Sequence, residues 1–407
     1  MMLRFLVFFI CMAGTGLVVR IGTAPVSLTL TMVLALALWA LFFNFNRKLI
    51  SVGLLLIAFY GCLVSIIHLG VNGIYAAGYQ MIGIGVFYLA SITVIRYYNY
   101  NISLILKDYT HIAVIASILA IFQNVGAILE IPYIWDMRWL FVGASQPERV
   151  GPLVRASSFF TEPGYFVFLP ASAFVYTVIK RNFSLWTSGV LLLGVLLSMS
   201  TIGILAILIS VFFSLRLSVK SFANFILVGV ILVAAVVLIP SVSIRVFGVF
   251  EALSSGTITG TENYSVFIRM VDFRITLDLL YDYWLTGVGI GAYKSYALTY
   301  FDIFYSTEQG LRPLIFSLGA DEFALSDGGS LVTRILVELG IPGALTLFYF
   351  FISGMARIIS IDRALFALLL CFYAAYSMRT GQLIRFELIF FLTLMTYYLK
   401  TNAGKEK

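Results

Sequence analysis

Charged residues are scarce in this chain: 11% of its 407 residues, against roughly 25% in soluble domains. With 61% hydrophobic residues and a mean hydropathy of +1.02, a water-soluble globule is excluded and an all-α polytopic membrane protein is implied. Histidine is almost missing. His68 and His111 are the only two, both near the ends of apolar runs. Each is more simply read as a core or lipid-edge side chain than as a general base. Cysteine is limited to Cys11, Cys62 and Cys371, far apart and inside apolar runs. They offer neither metal-ligand spacing nor a disulfide framework, and small buried core residues account for them. No internal repeat, low-complexity tract or appended soluble stretch is visible, so 1–407 is expected to fold as a single integral membrane domain.

What the chain has in quantity is apolar run. A spanning helix needs about 20 apolar residues. Twelve such runs are read, at about 2–19, 24–43, 49–69, 73–95, 110–130, 158–179, 183–199, 201–217, 222–240, 329–352, 364–378 and 383–399. The first is long and is followed directly by Arg20 and a second run, which reads as helix rather than signal peptide. The short connections carrying Lys and Arg (Arg47 and Lys48, Arg96 and Lys107, Lys180 and Arg181, Arg216 and Lys220, Arg357 and Arg363) all follow even-numbered runs. Basic residues mark the cytoplasmic side, so both termini are expected there.

The opposite side is expected to carry a large loop, 241–328. It holds ten acidic against five basic residues in a chain whose formal net charge is +7. Of the twelve bases on that side or at its membrane edge, eleven are Arg (20, 138, 149, 155, 245, 269, 274, 312, 334, 379 and 385) and one is Lys294. Arginine is preferred where a planar fork must hold phosphate or carboxylate. The bias therefore points to an anionic ligand, or to pairing with the loop acids.

Three stretches carry candidate chemistry. In Arg155–Phe166, Thr161 is suited to cap a helix, with Glu162 in the first turn and Pro163 at its start. Arg155 and Glu162 lie at the membrane edge, where an ionisable group is a functional candidate. From Tyr264 to Tyr283 two apolar stripes recur at helical spacing, Phe273, Leu277 and Trp284 on one and Ile275 and Leu279 on the other. That pattern predicts a helix sandwiched between neighbours. Arg274, Asp278 and Asp282 form an i, i+4, i+8 ladder on it, whereas Arg269 stands apart beside Asp272. The glycines of Gly287-Val-Gly-Ile-Gly291 lack the strand–turn–helix setting of a nucleotide loop and read as a tight backbone passage. In Asp327–Gly343, Arg334 and Glu338 are spaced to pair. Aromatics, among them Tyr281, Trp284 and Tyr293, crowd the long loop and suit either interfacial anchoring or stacking on sugar faces.

Together, Arg155 with Phe159-Phe-Thr-Glu-Pro-Gly-Tyr165, Arg269 ahead of Leu285-Thr-Gly-Val-Gly-Ile-Gly291, and Leu336-Val-Glu-Leu-Gly-Ile-Pro-Gly343 resemble the bacterial O-antigen polymerase (Wzy-type) and O-antigen ligase superfamily. So does the layout of many spans with one large late external loop. The residue matches cover about a tenth of the chain, the layout nearly all of it. The resemblance implies a fold similar to the GT-C class and a metal-independent, inverting glycosyl transfer at the periplasmic face of the bacterial inner membrane. It implies no cofactor and no nucleic-acid partner. A polysaccharide on undecaprenyl diphosphate would be passed to another lipid-linked repeat unit (polymerase) or to lipid A–core (ligase), with a chain-length regulator as a further partner. Gly329 and Ser330 stand where the ligases carry a His-Asn pair, which favours the polymerase. On this resemblance Arg155, Arg269 and Arg274 would hold the diphosphate. Glu162 or Asp327 would supply the base, and Tyr281, Trp284 and Tyr293 would meet sugar. A lipid-linked oligosaccharide flippase is the rival, for which broken helices and repeats would be expected.

Overall fold

The computed structural model describes residues 2–13, 18–21, 24–42, 52–140, 147–181, 183–214, 264–307, 330–383 and 385–402. The described secondary structure is almost wholly helical, in line with an all-α membrane protein. In chain order it comprises α1 (Met2–Met12), a hairpin of β1 (Val18–Ile21) and β2 (Ala24–Ser27), α2 (Leu28–Phe42), α3 (Val52–Leu69), α4 (Val71–Tyr97) and α5 (Ile102–Ile128). A short α6 (Pro132–Trp135) and a small hairpin of β3 (Arg149–Val150) and β4 (Leu153–Val154) lead into α7 (Pro163–Phe166) and α8 (Phe168–Lys180). Then follow α9 (Leu185–Leu197), α10 (Thr201–Ser214), α11 (Tyr264–Tyr283), α12 (Tyr293–Thr307), α13 (Leu331–Ile361), α14 (Arg363–Arg379) and α15 (Phe386–Asn402).

Every expected apolar run inside the described residues contains helix; the run 222–240 lies outside them. Three helices, α4, α5 and α13, are long and apolar enough to cross a bilayer. Several of the others stop short of the runs read, although α14 slightly outruns 364–378 and α15 matches the length of 383–399. α1 stops at Met12 and the chain pairs as strands from Val18, where Val19 faces Val26, so the expected helix 2–19 is only partly helical. The glycines at 14 and 16 and the β-branched pair Val18-Val19 disfavour continuing it. The helices α8 and α9 have 13 residues each, or roughly 20 Å at the usual rise, short of a hydrocarbon core of about 30 Å.

α14 is the hub. It packs against α8, α10 and α13 and is buried from Ala364 through Leu369 and at Cys371, Phe372, Ala375 and Tyr376. Asp362 starts it by accepting the backbone N–H groups of Ala364 (2.9 Å) and Leu365 (3.0 Å), a side-chain cap of the usual kind. Around it, Phe168, Phe372, Tyr376, Phe390 and Phe391 pack ring on ring.

α13 is broken at Gly340, where φ is 67° and ψ 173°, a conformation open essentially to glycine alone. Pro342 follows without an N–H to give. The carbonyls freed by the break are taken up by the glycine-rich stretch: Val288 N–H donates to Val337 O (2.8 Å) and Gly289 N–H to Glu338 O (2.9 Å). In return Ile341 N–H donates to Trp284 O (2.7 Å), and Ile290 N–H reaches Gly61 O (3.0 Å) on α3. Within lipid a broken helix is tolerated only where protein satisfies the freed groups, and here backbone does so. The approach leaves no room for a side chain: a Cβ on Gly340 would lie 2.7 Å from the Gly287 nitrogen. The passage read from Gly287–Gly291 is thus a backbone mesh with the break in α13.

Gly340→Ala should therefore lower stability by at least about 2 kcal/mol, read as a fall in the thermal unfolding midpoint in detergent. Gly78→Ala on α4, where a Cβ meets nothing within 4 Å, should be neutral or stabilising by up to about 1 kcal/mol. Similar midpoints for the two variants would contradict the mesh.

Candidate functional site

The stretch from Arg155 to Glu162 is not helical, yet Ser157, Ser158 and Phe159 are buried. Its backbone must find partners, and α5 and α9 supply them. Asn124 accepts Val154 N–H (3.1 Å), Gln123 accepts Ser158 N–H (2.9 Å), and Leu197 O at the open end of α9 accepts Ala156 N–H (3.0 Å). The shortness of α8 and α9 leaves the space this segment fills. The expected helix 158–179 therefore begins only at Pro163, and α7 runs into α8 through Val167, whose backbone stays helical and whose N–H donates to Pro163 O (3.1 Å). Glu162 itself, rather than Thr161, is the N-cap residue of α7, in extended conformation and with no side-chain capping bond.

Its carboxylate turns instead to α14 and forms an ion pair with Arg379. Two guanidiniums converge here on one ring: Arg379 lies 5.0 Å and Arg385 3.7 Å from the centroid of Tyr165. A cation over a tyrosine face gains of order 0.5–2 kcal/mol. Gly164 makes room for this, because a Cβ there would come 2.4 Å from Arg379 Nε. The pair Glu162–Arg379 remains partly open to solvent, with side chains 45% and 23% exposed. Beneath Tyr165 a cavity of about 20 Å³ is lined by Tyr165, Phe168, Tyr376, Arg385 and Glu387 among others, room for roughly one water.

The loop 380–385 that carries Arg385 is pinned from several sides. Tyr376 donates its hydroxyl to Gln382 O, Arg385 Nε donates to Gln382 Oε1, and Gln382 N–H donates to Thr380 Oγ1 (3.1 Å). From α13, Arg334 donates to Gly381 O (3.1 Å) while its Nε pairs with Glu338 Oε1 at 2.9 Å. Arg334 and Glu338 are both buried, so the pairing read from their spacing is a buried one. The same pocket of charge includes Asp272 and Thr276 of α11 and Tyr293 of α12, all buried. Burial, then the charge of Asp272, raises the Tyr293 hydroxyl above the usual phenol range.

The other expected site residues are dispersed. Arg155 makes an ion pair with Glu148 at 3.4 Å. Arg269 lies on α11 but its side chain is outside the described residues, and Asp327 is outside them altogether. Arg274 pairs with Asp278 at 3.6 Å, both exposed, while Asp282, the last rung of the expected ladder, accepts the Tyr300 hydroxyl of α12 instead. Tyr281 and Trp284 are exposed, whereas Tyr293 is wholly buried and shows no ring face to solvent. Helix α11 is not sandwiched as its two stripes predict: Ile275 and Leu279 are buried while Phe273 and Leu277 are exposed. His68 sits edge-on to Tyr283 at 5.3 Å, among rings rather than at the arginines.

Arg379, Arg385, Gln382 and Glu387 were visible to sequence reasoning only as part of the arginine bias of one side. The signal that would have found them is an arginine at the end of one apolar run and a second at the start of the next. No protein-family model matches the chain, and no curated protein matches it in sequence.

Removing one member of a buried ion pair strands the other. Glu338→Ala should cost about 3–5 kcal/mol, or prevent stable insertion. Arg274→Ala on its exposed helix face should stay within about 0.5 kcal/mol. Detergent unfolding midpoints check both, and a near-native midpoint for Glu338→Ala would remove the buried pair as a structural anchor.

Proposed function

We propose that this chain is a polysaccharide polymerase of the O-antigen type. It would transfer a growing glycan from undecaprenyl diphosphate onto a lipid-linked repeat unit at the external face of the bacterial inner membrane. The observation that carries this reading is the convergence of Arg379 and Arg385 on Tyr165, within the stretch whose residues carry the family resemblance. The further layout goes with it: twelve spans, both termini cytoplasmic, and a GT-C-like fold.

The geometry supports the reading as follows. α14 has 17 residues and rises roughly 25 Å, so a cytoplasmic start near Arg363 sets Arg379 at the far edge of a hydrocarbon core of about 30 Å. A diphosphate anchored by a lipid tail arrives at that depth. Breaking the sugar–phosphate bond builds negative charge on the leaving diphosphate. Two preplaced guanidiniums stabilise that charge without reorganising. Glu162 holds Arg379 in position in the free protein, and the incoming diphosphate displaces it. Arg155, seven residues before Glu162, and Arg269 would serve the same anion on this reading; Arg274, engaged by Asp278, would contribute less. Tyr281 and Trp284 offer exposed rings to the sugars.

One observation favours a transporter instead: the helix break at Gly340, since discontinuous helices build transporter sites. The carbonyls of Val337 and Glu338 at that break are taken up by the backbone N–H groups of Val288 and Gly289 and not held open for a substrate. This favours the polymerase.

The test is purified protein with lipid-diphosphate repeat units, products resolved on a gel. Wild type should give a ladder. Arg379→Ala and Arg385→Ala should each lower the rate at least about 100-fold, the scale for removing a preorganised donor. Lysine at either position should restore little, since a point charge lacks the fork. Transbilayer movement of the lipid without a ladder would overturn the polymerase in favour of the transporter.

A further inference from the structure

Glycosyl transfer needs a proton acceptor for the attacking hydroxyl; of the two carboxylates expected from the sequence, Glu162 is engaged by Arg379 in the free protein and Asp327 lies outside the described residues. A third carboxylate stands in the same place. Glu387, in the first turn of α15, lines the cavity beneath Tyr165 together with Arg385. An ionised group inside an apolar run is costly and marks function by default. The nearest charge to Glu387 is Arg385, two residues before it, which also stacks on Tyr165.

We infer that Glu387 is the catalytic base of the transfer proposed above, an assignment that rests on that reading. Glu387 lines a cavity with room for roughly one water, and a base reaches its proton within about 3.2 Å or through one water. In the step, an acceptor hydroxyl oxygen forms a bond to the anomeric carbon of the donor sugar. The carbon–oxygen bond to the diphosphate breaks, and its electron pair leaves on the diphosphate. The hydroxyl proton passes to Glu387, directly or through the cavity water, and is released to solvent after the product leaves. Arg385 then stands between the two charges of the step: the leaving diphosphate on one side and the carboxylate of Glu387 on the other. The groups that meet Glu387 from the packed elements are Cys11 of α1, Tyr109 of α5, Tyr165 of α7, Tyr376 of α14 and Arg385. None is a second carboxylate or a histidine, so Glu387 is the one carboxylate among these groups.

The bland account is a carboxylate that merely favours the start of α15 through the helix dipole. Glu387→Gln separates the two, because it keeps shape and place. The purified variant should lose at least 100-fold in kcat while binding undecaprenyl diphosphate within twofold of wild type. Its residual rate should lose the fall toward acid pH that wild type shows. Should Glu387→Gln not fold, Glu387→Asp should fold, keep KM and lose at least tenfold in kcat. A folded Glu387→Gln within threefold of wild type sinks the assignment alone, and so does wild-type turnover in Glu387→Asp. Parallel loss of lipid binding and rate would overturn it in favour of charge balance. Wild type that makes no ladder removes the polymerase reading and this assignment with it.

Discussion

A guanidinium at the end of a buried helix has to meet an anion or water, and Arg379 meets Glu162 across the gap between α14 and α7. Much of the outer end of the bundle follows from that contact. The segment before Glu162 is free to be non-helical because α8 and α9 are short, and Gln123, Asn124 and Leu197 take its backbone bonds. Glycine at 164 lets the arginine stem cross, and Tyr165 then offers its face to Arg379 and Arg385 together. Two like charges share one ring only because carboxylates stand on either side, Glu162 at Arg379 and Glu387 near Arg385. The result is a cationic centre whose charges are answered in the free protein by carboxylates of the chain itself.

The broken α13 makes the second half of this arrangement rigid. Its break at Gly340 is filled by the backbone of 284–289, and the pair Arg334–Glu338 just before it reaches Gly381 in the loop that carries Arg385. Helices α11 and α12 belong to the large loop, and Asp272, Thr276 and Tyr293 from them join the same buried cluster. Loop and arginine centre are therefore fastened to one structural element. Arg334 thus stands between this cluster and the loop that carries Arg385.

Local chemistry was readable from the residues where one stretch decides it. Apolar runs marked the helices, Arg334 and Glu338 four apart marked a pair, and alternating glycines marked a tight passage. Arg274 with Asp278 paired as their spacing describes. Contacts between distant stretches were not readable. Glu162 and Arg379 are 217 residues apart, and nothing local to either names the other. The cap at Glu162 was misplaced by one residue because its carboxylate answers to Arg379 rather than to the helix start. Tyr293, read as a sugar-stacking ring, is buried because α12 turns it inward to Asp272. The stripe of Phe273 and Leu277 has the spacing of a buried face, and spacing alone does not say which of two stripes finds a partner.

The central claim is that Arg379 and Arg385 exchange Glu162 for a lipid-borne diphosphate. An experimental structure of the protein in a lipid nanodisc with undecaprenyl diphosphate tests it most directly. Phosphate oxygens should lie within about 3 Å of both guanidiniums, the charge-assisted range, with Glu162 withdrawn from Arg379. A diphosphate bound elsewhere, with the Glu162–Arg379 pair intact, would contradict the account.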